Sequence, residues 1–191
     1  MKITILKSIM AGIAIALGCC LFLLAPDKIT GAVLFSCGLL CVRIYRLNLF
    51  TGKVQYMTTD QYPITYYPLV LVGNLIGVLI IWGLTFELTR SAAEPLATAK
   101  AAQSFITAML KGIGCGMLMS LATNPDSPLW MCLICVPAFI LAGFNHCIAD
   151  AYYALAGWNI SGPGFIATII GNIIGGALLL NKNLIDSRTN I

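Results

Sequence analysis

Residues 142–153 read "AGFNHCIADAYY". The stretch holds His146, the only histidine of the chain, followed four residues later by Asp150, in one of the most apolar regions of the sequence. Gly143, Phe144 and Asn145 interrupt what is otherwise a continuous hydrophobic run. In a soluble protein such an interruption is an ordinary loop. In hydrocarbon each freed backbone group costs roughly several kcal/mol unless protein or water satisfies it. The surrounding solvent therefore decides what this stretch means.

Composition identifies that solvent. The 191 residues are 59% hydrophobic and 9% charged, with mean hydropathy +0.92. Soluble domains carry about 25% charged residues, so this chain cannot coat a globule with polar surface. Its apolar runs approach the roughly 20 residues that cross a bilayer as helix, and they lack the short alternating segments of a barrel. The reading is an all-α integral membrane protein, a single transmembrane domain over 1–191 with the lipid bilayer as its partner. The basic start "MKITILK" resembles a signal peptide, but the following apolar run is long and Ala25-Pro26-Asp27 is a poor cleavage site, so residues 5–25 read as a retained first span. Net charge +4 belongs to loops, and nothing points to nucleic acid. The eight cysteines lie almost wholly in apolar runs. Cys132 and Cys135 lack a second pair or nearby ligands, so they read as small buried hydrophobes rather than a redox or metal site.

Hydropathy marks spans at about 5–25, 29–50, 66–86, 104–121, 129–155 and 164–181. With both termini in the cytoplasm, Lys2, Lys7, Arg43, Arg46, Lys53, Lys182 and Arg188 fall inside, Lys28, Arg90 and Lys100 outside, and Lys111 within the fourth span. This bias supports a cytoplasmic N-terminus. Arg43 and Arg46 read as snorkelling side chains.

The halves, about 1–90 and 100–191, resemble each other. Gly73-Asn74-Leu75-Ile76-Gly77 on the third span matches Gly171-Asn172-Ile173-Ile174-Gly175 on the sixth. Each follows a polar interruption in the preceding span, "LNLFTGK" (47–53) and "GFNHC" (143–147). Three spans per half reverse the orientation, so the expectation is an inverted 3+3 repeat with broken second and fifth helices. Gly52 and Gly143 are the expected sites of unusual backbone angles. Asn74 and Asn172 are open to two readings, interhelical hydrogen bonding or contact with a pore. Asp150 is equally open, between function and the capping of a helix end.

At these residues the chain resembles the formate/nitrite transporter family. "LNLFTGKVQYM" is similar to the family's Leu-Phe-Thr break, "FITAMLKGIGCGMLMSLA" to its fourth helix, "FILAGFNHCIADAYY" to its fifth-helix signature and "GNIIGGALL" to its sixth helix. The resemblance implies an aquaporin-like protomer, assembly as a homopentamer and a pore in each protomer for a small monovalent weak-acid anion (formate, nitrite, hydrosulfide or lactate). It also implies the residues of the substrate pathway: Thr51 in the second-helix break, His146 at the centre, Lys100 ahead of the fourth helix, with Asn145 and Asn172. Phe35 and Leu39 fall on the outer hydrophobic constriction, Leu49 and Phe139 on the inner one. Three positions depart from the family: Asn145 replaces Glu, Gly116 replaces Asn and Asp150 replaces Asn.

The physics fits that implication. Moving an ion through a narrow low-dielectric ring costs several kcal/mol even after relaxation, whereas the neutral acid avoids most of that cost. Histidine, with an unperturbed pKa near 6.5, is the side chain suited to proton exchange near neutrality. The expectation is a neutral imidazole positioned by Thr51, with protonation of the anion nearby. Lys100, Lys111 and helix N-termini supply positive potential. Asn145 in place of Glu is expected to remove a carboxylate from beside the histidine. The alternative, a neutral-solute pore of aquaporin-like type, would need twin Asn-Pro-Ala boxes, and the only Asn-Pro is Asn124-Pro125. A membrane enzyme would need several buried ionisable groups converging with the histidine. No cofactor, metal or covalent chemistry is implied.

Overall fold

The computed structural model of the chain describes residues 2–59 and 61–179, all of whose regular elements are helical. In order these are α1 (Lys2–Leu24), α2 (Lys28–Ile44), α3 (Phe50–Lys53), α4 (Tyr66–Ala101), α5 (Phe105–Thr123), α6 (Met131–Leu141), α7 (Cys147–Ala156) and α8 (Gly162–Ile173). A short 3₁₀ turn, Val54–Tyr56, extends α3, and a π-helical stretch, Ile174–Leu179, extends α8. By length and composition α1, α4 and α5 can each cross a membrane. Polar caps set several starts. The Asp27 carboxylate accepts from Ile29 N–H at 2.9 Å and Thr30 N–H at 3.0 Å, and Ser104 and Ser161 cap α5 and α8. The Thr30 hydroxyl and these amides hold the Asp27 carboxyl below its usual range.

The two interruptions have the same construction. α2 ends in Tyr45 and Arg46, and α6 ends in Ala142 and Gly143. Arg46 (φ 50°) and Gly143 (φ 70°) both take the left-handed conformation. In each case the next amide reaches back across the turn, Leu47 N–H to Val42 O and Phe144 N–H to Phe139 O, both at 2.9 Å. These are the long bonds of a Schellman ending. Residues 47–49 and 144–146 then run extended before the chain re-enters helix as α3 and α7.

The extended backbone is held by one asparagine in each half. Asn74 on α4 accepts from Phe50 N–H at 2.8 Å and donates to Asn48 O at 2.8 Å and Ser8 O at 2.7 Å. Asn172 on α8 accepts from Cys147 N–H at 2.9 Å and donates to Asn145 O at 2.8 Å and Gly112 O at 2.9 Å. Both side chains are fully buried. Of the two readings open for these residues, interhelical bonding is the one they carry out, and each bond set ties a break to the first helix of its own half.

Helices must approach closely for a short amide to reach both partners. A Cβ on Gly77 would lie 2.1 Å from Ile9 O, and one on Gly175 would lie 2.1 Å from Ile113 O. Gly12 and Gly116 likewise face the carbonyls of Asn74 and Asn172. Gly116 is thus the counterpart of Gly12, and the volume of any larger side chain there is occupied by α8 backbone. Small residues at such crossings let van der Waals packing and hydrogen bonds act together.

Several expectations need revision. "FTGK" forms α3 rather than part of the break, so Gly52 is helical and lies against Thr123, where an added Cβ would sit 3.0 Å away. The left-handed residue of that break is Arg46. The third span does not stop near 86: α4 continues to Ala101 because Thr89, Ala93 and Ala97 recur every fourth residue as a buried stripe. Arg43 does not snorkel alone. Its guanidinium donates to Ala122 O and, at 2.7 Å, to Ser127 O, joining the end of α2 to the end of α5. Six cysteines are buried, but Cys37 and Cys41 face outward on α2. Lys182 and Arg188, used in the charge bias, lie outside the described residues.

Replacing Asn172 by Leu, which is similar in volume, strips the Cys147 N–H and the Asn145 carbonyl of the break of this partner and removes a second acceptor bond of Gly112 O within α5. At about 1–3 kcal/mol for each unsatisfied buried group, Asn172→Leu and Asn74→Leu are each expected to lower the melting temperature of the detergent-solubilised protein sharply. Asn159→Leu, at an exposed bond to Thr98, is the control expected to leave it unchanged.

Candidate functional site

The breaks place their first helical turns against each other. Thr51, on α3, has its Oγ1 2.9 Å from Nε2 of His146. His146 is the N-cap of α7: its Nδ1 accepts from Ala149 N–H at 3.2 Å. An imidazole nitrogen that accepts carries no hydrogen, so the neutral ring bears its proton on Nε2 and donates it to Thr51 Oγ1. Protonating the ring would break the cap. Both side chains are buried within the protomer, His146 at 1% and Thr51 at 0% exposure, and neither faces lipid.

Apolar groups surround this pair. The Phe139 ring stacks on the His146 ring at 5.7 Å between centroids, and Phe35 meets Phe139 edge-on at 5.7 Å. Phe35, expected in the outer constriction, and Phe139, expected in the inner one, are thus in direct ring contact. Leu49 immediately precedes α3 in the other break, and Leu39 and Leu49 are buried.

On the other side of Asn145 a cavity of about 260 Å³ opens between α4, α7 and α8. Its walls are largely alanine and leucine, and its polar groups include Lys100, Asn145, Asp150 and Thr168. The Lys100 ammonium donates to Asn145 Oδ1 at 2.8 Å and pairs with Asp150 Oδ1 at 2.9 Å. The Asn145 amide donates to Gln103 Oε1 at 2.7 Å and lies 3.4 Å from Thr168 Oγ1. Asp150 is therefore part of an ion pair beside the histidine rather than only a helix-end group. Asn172 stands behind this cluster, its amide committed to the backbone of the break.

The structure thus brings His146, Thr51 and Phe139 into contact, joins Lys100 to Asn145, and leaves Asn172 in a supporting position. Gln103 and Thr168 were not singled out from sequence. Thr168 had a usable signal, since it precedes Asn172 by one helical turn on α8 and so shares its face. Gln103 had none: it acts only because α4 extends to Ala101 and delivers the following residues to the cavity.

A chain with one histidine gives a direct test of the hydrogen-bond assignment. Nitrogen NMR of protein labelled with ¹⁵N-histidine is expected to show the hydrogen on Nε2 and a bare Nδ1 at neutral pH. Thr51→Val is expected to shift the Nε2 resonance and leave Nδ1 in place. A hydrogen found on Nδ1 would refute the capped geometry.

Known proteins agree with this architecture. The family model described as "Formate/nitrite transporter" matches residues 1–182. The chain is 24% identical over 225 residues to Formate-nitrite transporter 2 of Toxoplasma gondii, covering 92% of this chain and 49% of that protein. It is 22% identical over 213 residues to Formate channel FocB of Escherichia coli, covering 82% and 73% respectively. The chain therefore spans about half the length of the Toxoplasma relative. Among solved structures, an "FNT family ion channel" superposes with a TM-score of 0.82 at 20% identity, over 96% of this chain and 89% of that one. A "Pentameric formate channel with formate bound" gives 0.74 at 20% identity, over 99% and 95%. These likenesses establish the fold, and the family model extends across both breaks and both asparagine clamps: the chain belongs to the formate/nitrite transporter family.

Proposed function

We propose that the chain carries a small monovalent weak-acid anion, formate or nitrite, across the cytoplasmic membrane through a pore in each protomer, and that the anion takes up a proton near His146. Hydrosulfide and lactate belong to the same chemical class. The two halves act as an inverted pair, both termini lie in the cytoplasm, and the assembly is a homopentamer. The formate-bound pentameric channel that shares the fold supports the assembly and the substrate class.

The observation that carries this reading is the Thr51–His146 contact among apolar side chains. An anion leaving the Lys100 cavity meets Phe35, Phe139, Leu39 and Leu49, where charge is costly and the neutral acid is not. At that point the Nε2–H of His146 is the available donor. A substrate oxygen can replace the Thr51 hydroxyl as its acceptor, exchanging one hydrogen bond for another and leaving the cap of α7 intact. Lys100 and Asn145 offer the anion its last polar contacts before the apolar passage.

The test is flux of formate, nitrite, hydrosulfide and lactate into proteoliposomes as a function of pH, with water and glycerol permeation measured alongside. Anion flux is expected to rise as the pH falls, because more substrate is protonated. His146→Asn preserves an N-cap residue but removes the ring. It is expected to reduce anion flux about tenfold or more, equivalent to losing one hydrogen bond of roughly 1.5 kcal/mol to the species in transit. Permeation of neutral solutes with no anion flux would overturn the proposal in favour of an aquaporin-like pore.

A further inference from the structure

Asn145 and Asp150 touch the same ammonium. Lys100 Nζ lies 2.8 Å from Asn145 Oδ1 and 2.9 Å from Asp150 Oδ1, so a carboxylate at either position can neutralise it. This chain places its acid at Asp150 and an amide at Asn145, next to His146. Lys100 therefore still has a carboxylate partner, supplied by Asp150 in the first turn of α7 instead of by the residue that precedes its cap. The pair is sheltered, with Lys100 17% and Asp150 12% exposed, so its charge is felt within the cavity rather than screened by bulk solvent.

Lys111 also acts electrostatically on Asp150, and its backbone carbonyl accepts from Asn145 N–H at 3.2 Å. Asp150 thus offsets the charge of Lys100 at the cavity wall. That balance suits an anion that must arrive and then leave. More positive charge would hold it, and less would turn it away.

We infer that Asp150 is a positioning residue that tunes anion affinity by neutralising Lys100, and that positions 145 and 150 are interchangeable seats for this one carboxylate. The arrangement leaves an amide at Asn145, which can face either an anion or a neutral acid without a charge penalty and remains bonded to Gln103 Oε1 at 2.7 Å. An acid at 145 would instead place a second carboxylate on Lys100, at the cavity wall that Asn145 and Asp150 share. The inference rests on the transport reading above for its effect on flux, and on the geometry alone for its effect on stability.

The experiment is a reciprocal exchange in the full-length chain. Asp150→Asn removes the counter-charge of Lys100, which keeps its bond to Asn145, and is expected to lower the half-saturating formate concentration and the maximal flux together, each by about tenfold, the order expected for a unit charge a few ångströms from the anion in a partly solvated site. Asn145→Glu adds a second carboxylate and is expected to raise the half-saturating concentration by a similar factor. The double variant Asn145→Glu/Asp150→Asn is expected to return both parameters to within about threefold of wild type. A purely structural role for Asp150 would lower flux without moving half-saturation in opposite directions in the two single variants.

Melting temperatures of the four purified proteins complete the test without transport. The exchange variant is expected to recover stability lost in Asp150→Asn. Failure to recover would overturn the interchangeability, whatever is transported. Recovery in a protein that carries no formate in any form would sink the transport reading alone.

Discussion

Backbone exposed in the middle of a membrane protein must be satisfied by the protein itself, and in this chain two asparagine side chains do most of that. Asn74 and Asn172 each take one amide hydrogen and supply two hydrogens to carbonyls, one in the break and one in a neighbouring helix. The interrupted helices persist because these bonds replace those the helix would have made. The glycines around them follow from the same requirement. An asparagine side chain is short, so α1 and α4, and likewise α5 and α8, must nearly touch, and Gly12, Gly77, Gly116 and Gly175 permit it.

The residues of the candidate site inherit their geometry from that framework. Clamping Cys147 N–H sets the start of α7, and the residue just before it, His146, becomes the cap. Capping consumes Nδ1 and leaves Nε2–H pointing at Thr51 from the other break. The same break presents Asn145, the residue before His146, to Lys100 at the end of α4. A tautomer, a donor direction and an ion pair are thus fixed by backbone accounting rather than by side chains arranged independently. Equivalent positions in the two halves then serve different ends. Leu49 and His146 close their breaks alike, and Lys53 and Asp150 each stand three residues into the following helix, yet one half supplies an apolar side chain and a cation, the other an imidazole and an acid.

Much of this was legible in the residues. The lone histidine beside a glycine in an apolar run marked the fifth-helix break, and the paired Gly-Asn motifs marked the elements that hold both breaks. Other features were hidden for physical reasons. Arg46 adopts the left-handed conformation at a cost of roughly 1–2 kcal/mol relative to glycine, so no residue type announced it, and Gly52 drew the assignment instead. The extension of α4 past residue 86 was obscured by its hydropathy, since Glu87, Arg90 and Glu94 face outward while the buried stripe is made of Thr89, Ala93 and Ala97. The ring contact of Phe139 with Phe35 depends on how α6 packs on α2, which spacing along the chain does not encode.

Taken alone, the sequence determined the solvent, the helical class and the interruptions, because each follows from local composition and from the cost of unsatisfied backbone in hydrocarbon. Tertiary structure decided which groups meet: that Nε2 of His146 faces Thr51, that Asp150 and Asn145 share one lysine, and that Gly116 is filled by the backbone of α8. Those contacts join residues far apart in the chain through helix crossings set by glycine and asparagine. A crossing depends on two surfaces at once, and no single stretch of sequence carries both.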